Sequence, residues 1–222
     1  MTGSGKSVFV NGLIREMITK YEDEDVCLLL IDPKRVEFSR YKGVPHVLDK
    51  PAYSIDHIRY LLNWAVGEMH LRFTTMEKWN HRDIDRHNDW AQDVGDGKTW
   101  SRIVIIVDEL ANLILSDKKL EKPIVTIASM GRAAGIHLVL ATQRPSADVV
   151  TGLIRANVPT RVCLPVVTKM ESRIILDETG AERLHGPGDM LARLPGHRSL
   201  MPLRGMYWSD KELDAAVTEA MG

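Results

Sequence analysis

Four short runs of the chain are apolar on both of the faces that a strand would present. They cover Val26–Ile31 and residues 103–107, 136–141 and 161–167. Strands of a parallel sheet are buried on both faces, so continuous apolar runs of this length predict parallel strands in a core. Pro165 has no backbone N–H, which indicates that the far end of the fourth strand lies at an edge or a bulge.

The segments between these runs carry apolar residues at helical spacing. The first predicted helix covers residues 7–20, and a longer one follows Ser54, whose hydroxyl suits an N-terminal cap. Further helices are predicted after Glu109, from Pro123, over residues 146–156, beyond Glu171 and after the capping box of Ser209 and Glu212.

The remaining segments complete the predicted architecture. Residues 190–193 and 199–203 predict a hairpin that turns at Pro195–Gly196. Residues 78–100 are polar, and their His and Asp side chains lack the spacing of a known metal site, which favours a solvated helix or loop. The alternation of strands and helices predicts one α/β domain over residues 1–222, with a mostly parallel sheet, flanking helices and a C-terminal hairpin.

Composition restricts the function only weakly. The chain has 222 residues and a formal net charge of −1, so any nucleic-acid surface has to be a local basic patch. No apolar run approaches the roughly 18 residues of a membrane span, and no signal-peptide pattern opens the chain. Cys27 and Cys163 lie in apolar runs, which favours reduced thiols and a cytoplasmic location.

The first residues of the chain resemble a phosphate-binding loop. In such a loop, glycines let backbone N–H groups surround an oxyanion, a lysine contacts the terminal phosphates, and a serine hydroxyl ligates Mg²⁺. The following helix adds its positive N-terminal end. The residues predicted to bind ATP in this way are Gly3, Ser4, Gly5, Lys6, Ser7 and Val8.

The loop pattern is incomplete in one respect. Its first glycine belongs five positions before Gly5, ahead of the first residue, and the strand that leads into such a loop is also missing. We therefore expect either that the full protein extends upstream or that another segment covers the gap. The first interpretation is favoured because an unpaired strand edge leaves buried backbone groups without partners.

A second candidate group follows the predicted strand at residues 103–107. Asp108 suits a Mg²⁺ ligand, and Glu109 suits the carboxylate that polarises the attacking water. Gln143, at the end of the next strand, suits a sensor of the γ-phosphate; a helix cap or a turn is the alternative. A serine-hydrolase elbow and a dinucleotide-binding fingerprint are both absent from the sequence.

Together these motifs resemble the motor domain of the FtsK/SpoIIIE family of DNA translocases. The matching stretches are TGSGKSV at 2–8, IDPK at 31–34, VPHVL at 44–48, VDELANL at 107–113, GRAAGIHLVLATQRP at 131–145, VTGLIRANVPTR at 150–161, SRIILD at 172–177 and GDML at 188–191. The resemblance implies a RecA-like P-loop fold, a homohexameric ring around double-stranded DNA, and ATP-driven translocation with Mg²⁺. Asp32 and Lys34 match the family without a role that the sequence reveals.

The resemblance also assigns roles to four arginines. Arg132 is expected to act on the γ-phosphate of a neighbouring subunit, the alternative being a solvated arginine at a helix end. Arg144, Arg155 and Arg161 are expected to hold DNA phosphates without reading sequence, although each taken alone resembles an ordinary surface arginine.

Two alternative functions also fit the sequence. A protein-secretion or conjugative-coupling ATPase uses the same core, and a fragment that keeps the fold without binding ATP is the other alternative. The family's membrane-spanning N-terminal part and its winged-helix domain lie outside this sequence, so a membrane anchor is expected only in a longer parent chain.

Overall fold

Three buried strands form the parallel sheet on which the candidate site is built. The computed structural model describes residues 5–94 and 97–222. The strands are β1 (Val26–Ile31), β2 (Arg102–Val107) and β3 (Ile136–Leu140), in the order β1-β2-β3. Ile31 pairs with Val107, and Val107 pairs with Leu140, so the carboxyl ends of the three strands are level.

Helices cover both faces of this sheet. They are α1 (Lys6–Lys20), α2 (Ile55–Lys78), α3 (Ile84–Asp93), α4 (Leu110–Ser116), α5 (Glu121–Met130), α6 (Gly152–Asn157), α7 (Lys169–Leu176) and α8 (Asp210–Ala220). Leu29 and Ile31 pack into one core with α2, α4 and α5, whereas Leu28 and Leu30 pack into a second core with α1. This alternation is the two-residue period of a strand buried on both faces.

A second, antiparallel sheet carries the predicted hairpin. Its strands are β4 (Arg161–Cys163), β5 (Asp189–Arg193) and β6 (Met201–Arg204), in the order β4-β5-β6. The α/β fold class and the hairpin are thus confirmed. The fourth strand differs from its prediction in two ways: it pairs with β5 outside the parallel sheet, and it ends at Cys163, because Pro165 cannot donate to a ladder.

The helix predicted for residues 146–156 begins later than expected. It starts at Gly152, where the side chain of Thr151 accepts a hydrogen bond from the backbone N–H of Ile154. Val149 and Val150 are both buried, and they lie in a turn in which their N–H groups bond to the carbonyl of Ser146. Burying two consecutive side chains suits this turn better than one face of a helix.

Several predicted helix ends are confirmed. In the polar segment, for which the sequence allowed either a helix or a loop, the structure contains a helix. Ser54 caps α2, and Ser209 forms its capping box with Glu212 at α8. The polar segment contains α3, whose cap Asp83 accepts a hydrogen bond from the N–H of Arg86. Among the residues that the structure describes, no helix combines the length and the hydropathy that spanning a bilayer requires.

Candidate nucleotide-binding site

The candidate site lies at the carboxyl edge of the parallel sheet, where ligands bind in open α/β sheets. Asp32 follows β1, Asp108 follows β2, and Thr142 follows β3 closely. Because the strand ends are in register, the chain places these polar residues side by side. Asp32 and Asp108 are 0% and 1% exposed, so both are held inside the protein.

Helix α1 begins at this edge with the second half of the phosphate-binding sequence. Gly5 precedes the helix with φ at +99°, a left-handed conformation that favours glycine, and a side chain there would lie 3.3 Å from Leu164. Its carbonyl accepts the N–H of Phe9, which fixes the first turn. Lys6 is buried at the start of the helix. The predicted contacts of Gly3 and Ser4 lie outside the described residues.

Lys6 and Asp108 contact each other directly. The ammonium forms an ion pair with the Asp108 carboxylate and donates a 2.5 Å hydrogen bond to the backbone carbonyl of Asp108. Burial raises the pKa of Asp108, and the carboxylates of Glu37 and Asp32 act in the same direction, whereas Lys6 opposes them. The site therefore gathers more carboxylates than ammonium groups, and it suits an added cation.

Glu109 is buried and is held at both carboxylate oxygens. Its Oε1 accepts the hydroxyl of Thr142 at 2.6 Å and the backbone N–H of Gln143 at 3.0 Å, while Oε2 lies 3.0 Å from the ammonium of Lys34. Burial by itself would raise the pKa of Glu109, but these three donors outweigh it and hold the pKa below its usual value. The carboxylate is therefore ionised and fixed in orientation.

Ser7 faces a second acid that the sequence analysis did not single out. The Ser7 hydroxyl donates to Glu37 at 2.7 Å. Asn11 donates to the backbone carbonyl of Ser7 and lies 3.4 Å from the other Glu37 oxygen, and it accepts the hydroxyl of Tyr41. This chain of polar contacts joins the first turn of α1 to the segment after β1.

The residues predicted to hold Mg²⁺ fit a hard cation. The Ser7 hydroxyl and the Asp108 carboxylate are oxygen donors, and Glu37 adds a further carboxylate beside Ser7. Within residues 5–94 and 97–222, no group of three or more His, Cys, Asp or Glu side chains is arranged to hold a metal. Mg²⁺ usually keeps several waters and binds through one or two carboxylates plus phosphate oxygens, so the Ser7 and Asp108 oxygens suffice as its protein ligands.

Of the predicted residues Gln143 and Arg132, the first lies at the site and the second lies at the opposite end of the sheet. Gln143 joins the site through its backbone N–H, and the neighbouring hydroxyl of Thr142 makes the shorter contact with Glu109. Arg132 is exposed and lies before β3, at the amino end of the sheet. Five residues of strand, about 13 Å, separate that end from the carboxyl edge, so Arg132 does not reach the site of its own chain.

The three arginines predicted to contact DNA differ in exposure. Arg144 is exposed two residues beyond Thr142, whose hydroxyl accepts the backbone N–H of Arg144. Arg155 is half-buried on α6. Arg161 is half-buried at the start of β4 and forms a 2.7 Å ion pair with Asp177.

Sequence signals for the rest of the site are only partial. The Asp-Pro-Lys stretch was visible, but the contact between Lys34 and Glu109 depends on the register of β1 against β2. The tandem of Thr142 and Gln143 marked a strand end without showing which group would reach Glu109. Glu37 had no recognisable signal, because its position depends on the turn that follows β1.

Comparisons of the sequence identify its relatives. The FtsK/SpoIIIE family profile matches residues 1–147. The chain is 43% identical to DNA translocase FtsK 2 of Ralstonia nicotianae and to DNA translocase FtsK of Caldanaerobacter subterraneus subsp. tengcongensis; in each case the match covers 97% of this chain and 30% of the relative. The chain thus spans about a third of the length of these relatives.

Solved structures share the fold. The pCW3 conjugation coupling protein TcpA with ATPγS superimposes with a TM-score of 0.81 at 25% identity, over 98% of this chain and 62% of that chain. The cytoplasmic domain of the type VII secretion ATPase EccC from Thermomonospora curvata gives a TM-score of 0.85 at 22% identity, over 100% of this chain and 27% of that chain. The family profile covers well over half of the sequence, and the chain belongs to the FtsK/SpoIIIE family.

Proposed function

We propose that this chain is the ATP-hydrolysing motor module of a double-stranded DNA translocase. The observation that carries the proposal is the assembly of Lys6, Asp108 and Glu109 at one edge of the parallel sheet. These residues come from two distant parts of the chain, and their types are those that phosphoryl transfer to water requires. The names of the relatives, DNA translocases at 43% identity, support the choice of DNA as the substrate that is moved.

Each residue of the site takes a separate role in this proposal. Lys6 and the N–H groups at the start of α1, from Gly5 to Val8, hold the phosphates of ATP. Ser7 and Asp108 hold Mg²⁺, which neutralises phosphate charge when it is bound. Glu109 orients the attacking water, and it is suited to this because three donors fix its carboxylate. Gln143 reports the presence of the γ-phosphate to the segment that follows it.

The arginines extend the proposal beyond a single chain. Arg132 contacts the nucleotide of a neighbouring copy in a hexameric ring; its exposure and its distance from the site of its own chain support action in trans. Arg144, Arg155 and Arg161 bind DNA phosphates in the ring. Arg144 is the best placed of the three, because it is exposed and follows directly on the strand end that contacts Glu109.

We also propose that one further strand completes the parallel sheet between β3 and β4. Within the described residues, the outer edge of β3 has no strand partner, and β4 belongs to a separate sheet. The two thiols, both free, are compatible with the cytoplasmic location that we propose for the motor.

Hydrolysis of ATP in the presence of DNA tests this function. We expect the chain, assayed with and without an added upstream strand, to hydrolyse ATP faster when duplex DNA is present. Lys6→Ala abolishes the activity, and Glu109→Gln abolishes hydrolysis while ATP still binds. DNA binding weakens steeply with added salt, because phosphate contacts release counterions. Stimulation by a secretion-signal peptide but not by DNA would instead identify a protein-secretion ATPase, and absence of ATP binding would identify a non-catalytic fragment.

A further inference from the structure

The turn that follows β1 has entered the function so far only through the contact of Lys34 with Glu109. It contains Asp32, Pro33 and Lys34, and it continues to Glu37. The turn lies beside the candidate site because Ile31 of β1 pairs with Val107 of β2 and the backbone N–H of Asp108 bonds to the carbonyl of Ile31.

Asp32 fixes the shape of this turn from inside. Its side chain is 0% exposed and accepts three backbone N–H groups, those of Lys34, Glu37 and Phe38, at 3.2, 2.9 and 3.1 Å. Arg35 completes the turn with φ at +59°, a left-handed conformation that is uncommon for a side-chain-bearing residue. A buried carboxylate with three N–H partners holds the segment in one conformation.

Lys34 extends from this turn to Glu109. Its ammonium lies 3.0 Å from Oε2 of Glu109, whereas Thr142 and Gln143 both contact Oε1. The Glu109 side chain is 2% exposed and that of Lys34 is 37% exposed, so the pair joins a buried carboxylate to a partly exposed ammonium. Glu109 is thereby held from the β1 side and from the β3 side.

We propose that Lys34 is a positioning residue that sets the orientation of the Glu109 carboxylate for hydrolysis. The inference rests on the proposed function, in which Glu109 orients the attacking water. Without Lys34, Oε2 has no partner from the turn after β1, and the carboxylate can rotate about its terminal torsion, which is intrinsically broad. A small loss of alignment at a water-orienting group lowers the rate of the chemical step and leaves phosphate binding intact.

The arrangement distinguishes this role from direct contact with the nucleotide. Lys6 already supplies an ammonium at the start of α1, where phosphates bind. Lys34 instead contacts the water-orienting carboxylate, so its removal acts on kcat. A lysine that held the γ-phosphate would act mainly on the affinity for ATP.

Kinetic constants of Lys34→Met test the inference in the ATPase assay. We expect kcat to fall about tenfold or more, while KM and the dissociation constant of ATP change less than twofold. Lys34→Arg restores kcat to within a few-fold, because it restores the charge. Lys42→Met, a change at an exposed lysine in the same segment, leaves all three constants unchanged. A tenfold loss of ATP affinity with kcat preserved would overturn the inference.

A double-mutant cycle on thermal unfolding tests the same contact without any hydrolysis. Lys34→Met should lower the melting temperature by about 3 °C in the original chain and by less than 1 °C when Glu109 is already Gln. Equal shifts in the two backgrounds would show that Lys34 does not act through Glu109 and would overturn the inference. If no variant hydrolyses ATP, the proposed function fails, and the cycle by itself decides whether Lys34 restrains Glu109.

Discussion

The ammonium of Lys6 contacts Asp108 twice, through an ion pair with the carboxylate and a 2.5 Å hydrogen bond to the backbone carbonyl. Both side chains are buried, with exposures of 9% and 2%. The proposed function needs Lys6 on phosphate and Asp108 on Mg²⁺. The ion pair and the Mg²⁺–nucleotide complex therefore compete for the same two groups.

This competition predicts the behaviour of Asp108→Asn. Removing the carboxylate leaves the buried Lys6 ammonium without its charged partner, and phosphate oxygens then become its best available ligands. We expect Asp108→Asn to bind ATP in EDTA several-fold more tightly than the original chain does and to gain little further affinity from Mg²⁺. Titration calorimetry with and without Mg²⁺ measures both effects. Weaker binding in EDTA, or an unchanged response to Mg²⁺, would contradict the assignment.

Asp32 provides a prediction about stability. Asp32→Ala leaves three buried or half-buried N–H groups without their acceptor, and each such loss costs on the order of 1–3 kcal/mol. We expect the free energy of unfolding in urea to fall by about 3 kcal/mol or more. Asp214→Ala removes an exposed carboxylate paired with Arg40 and should cost less than about 1 kcal/mol. Equal losses in the two variants would show that the turn does not depend on Asp32.

If Arg132 acts on a neighbouring subunit, two inactive variants should restore hydrolysis when they are mixed. Because it lies at the end of the sheet away from the site of its own chain, Arg132→Ala should retain ATP affinity and lose DNA-stimulated hydrolysis. Mixing it with Glu109→Gln should restore part of the activity, since some interfaces then combine an intact Arg132 with an intact Glu109. Loss of ATP affinity in Arg132→Ala, or no recovery on mixing, would argue against action in trans.

Because β3 exposes its outer edge, we expect an added strand to stabilise the protein and to protect the β3 amides. We expect a version that carries an apolar strand and a glycine ahead of residue 1 to melt at a higher temperature, because the strand pairs β3 and covers its half-buried face. Hydrogen exchange of the β3 amides that face away from β2 should slow by at least tenfold in that version. Unchanged exchange would contradict pairing of the added strand with β3.

Local pattern was sufficient for some elements and insufficient for others. The strand Val26–Ile31 was predicted with its observed ends, because a run that is apolar on both faces and bounded by acids has one stable placement. The helix predicted from residue 146 was wrong at its start, since Val149 and Val150 are buried together in a turn. There a tertiary preference outweighed helical spacing.

The candidate site shows the same division between local and long-range information. Lys6, Asp108 and Glu109 could be predicted because phosphate chemistry restricts residue type and spacing in short motifs. The contact of Lys34 with Glu109 could not, because it joins residues 75 positions apart through strand register. A motif whose role the sequence does not reveal can therefore still be explained once the neighbouring strand is known.

Displacement of a third strand from duplex DNA measures movement along DNA that is powered by ATP. The experiment places a triplex-forming oligonucleotide at one end of a linear duplex and measures its release by the motor. We expect release that requires ATP and Mg²⁺ and that is lost in Lys6→Ala and in Glu109→Gln. DNA-stimulated hydrolysis without release, or equal release by Glu109→Gln, would contradict movement powered by ATP.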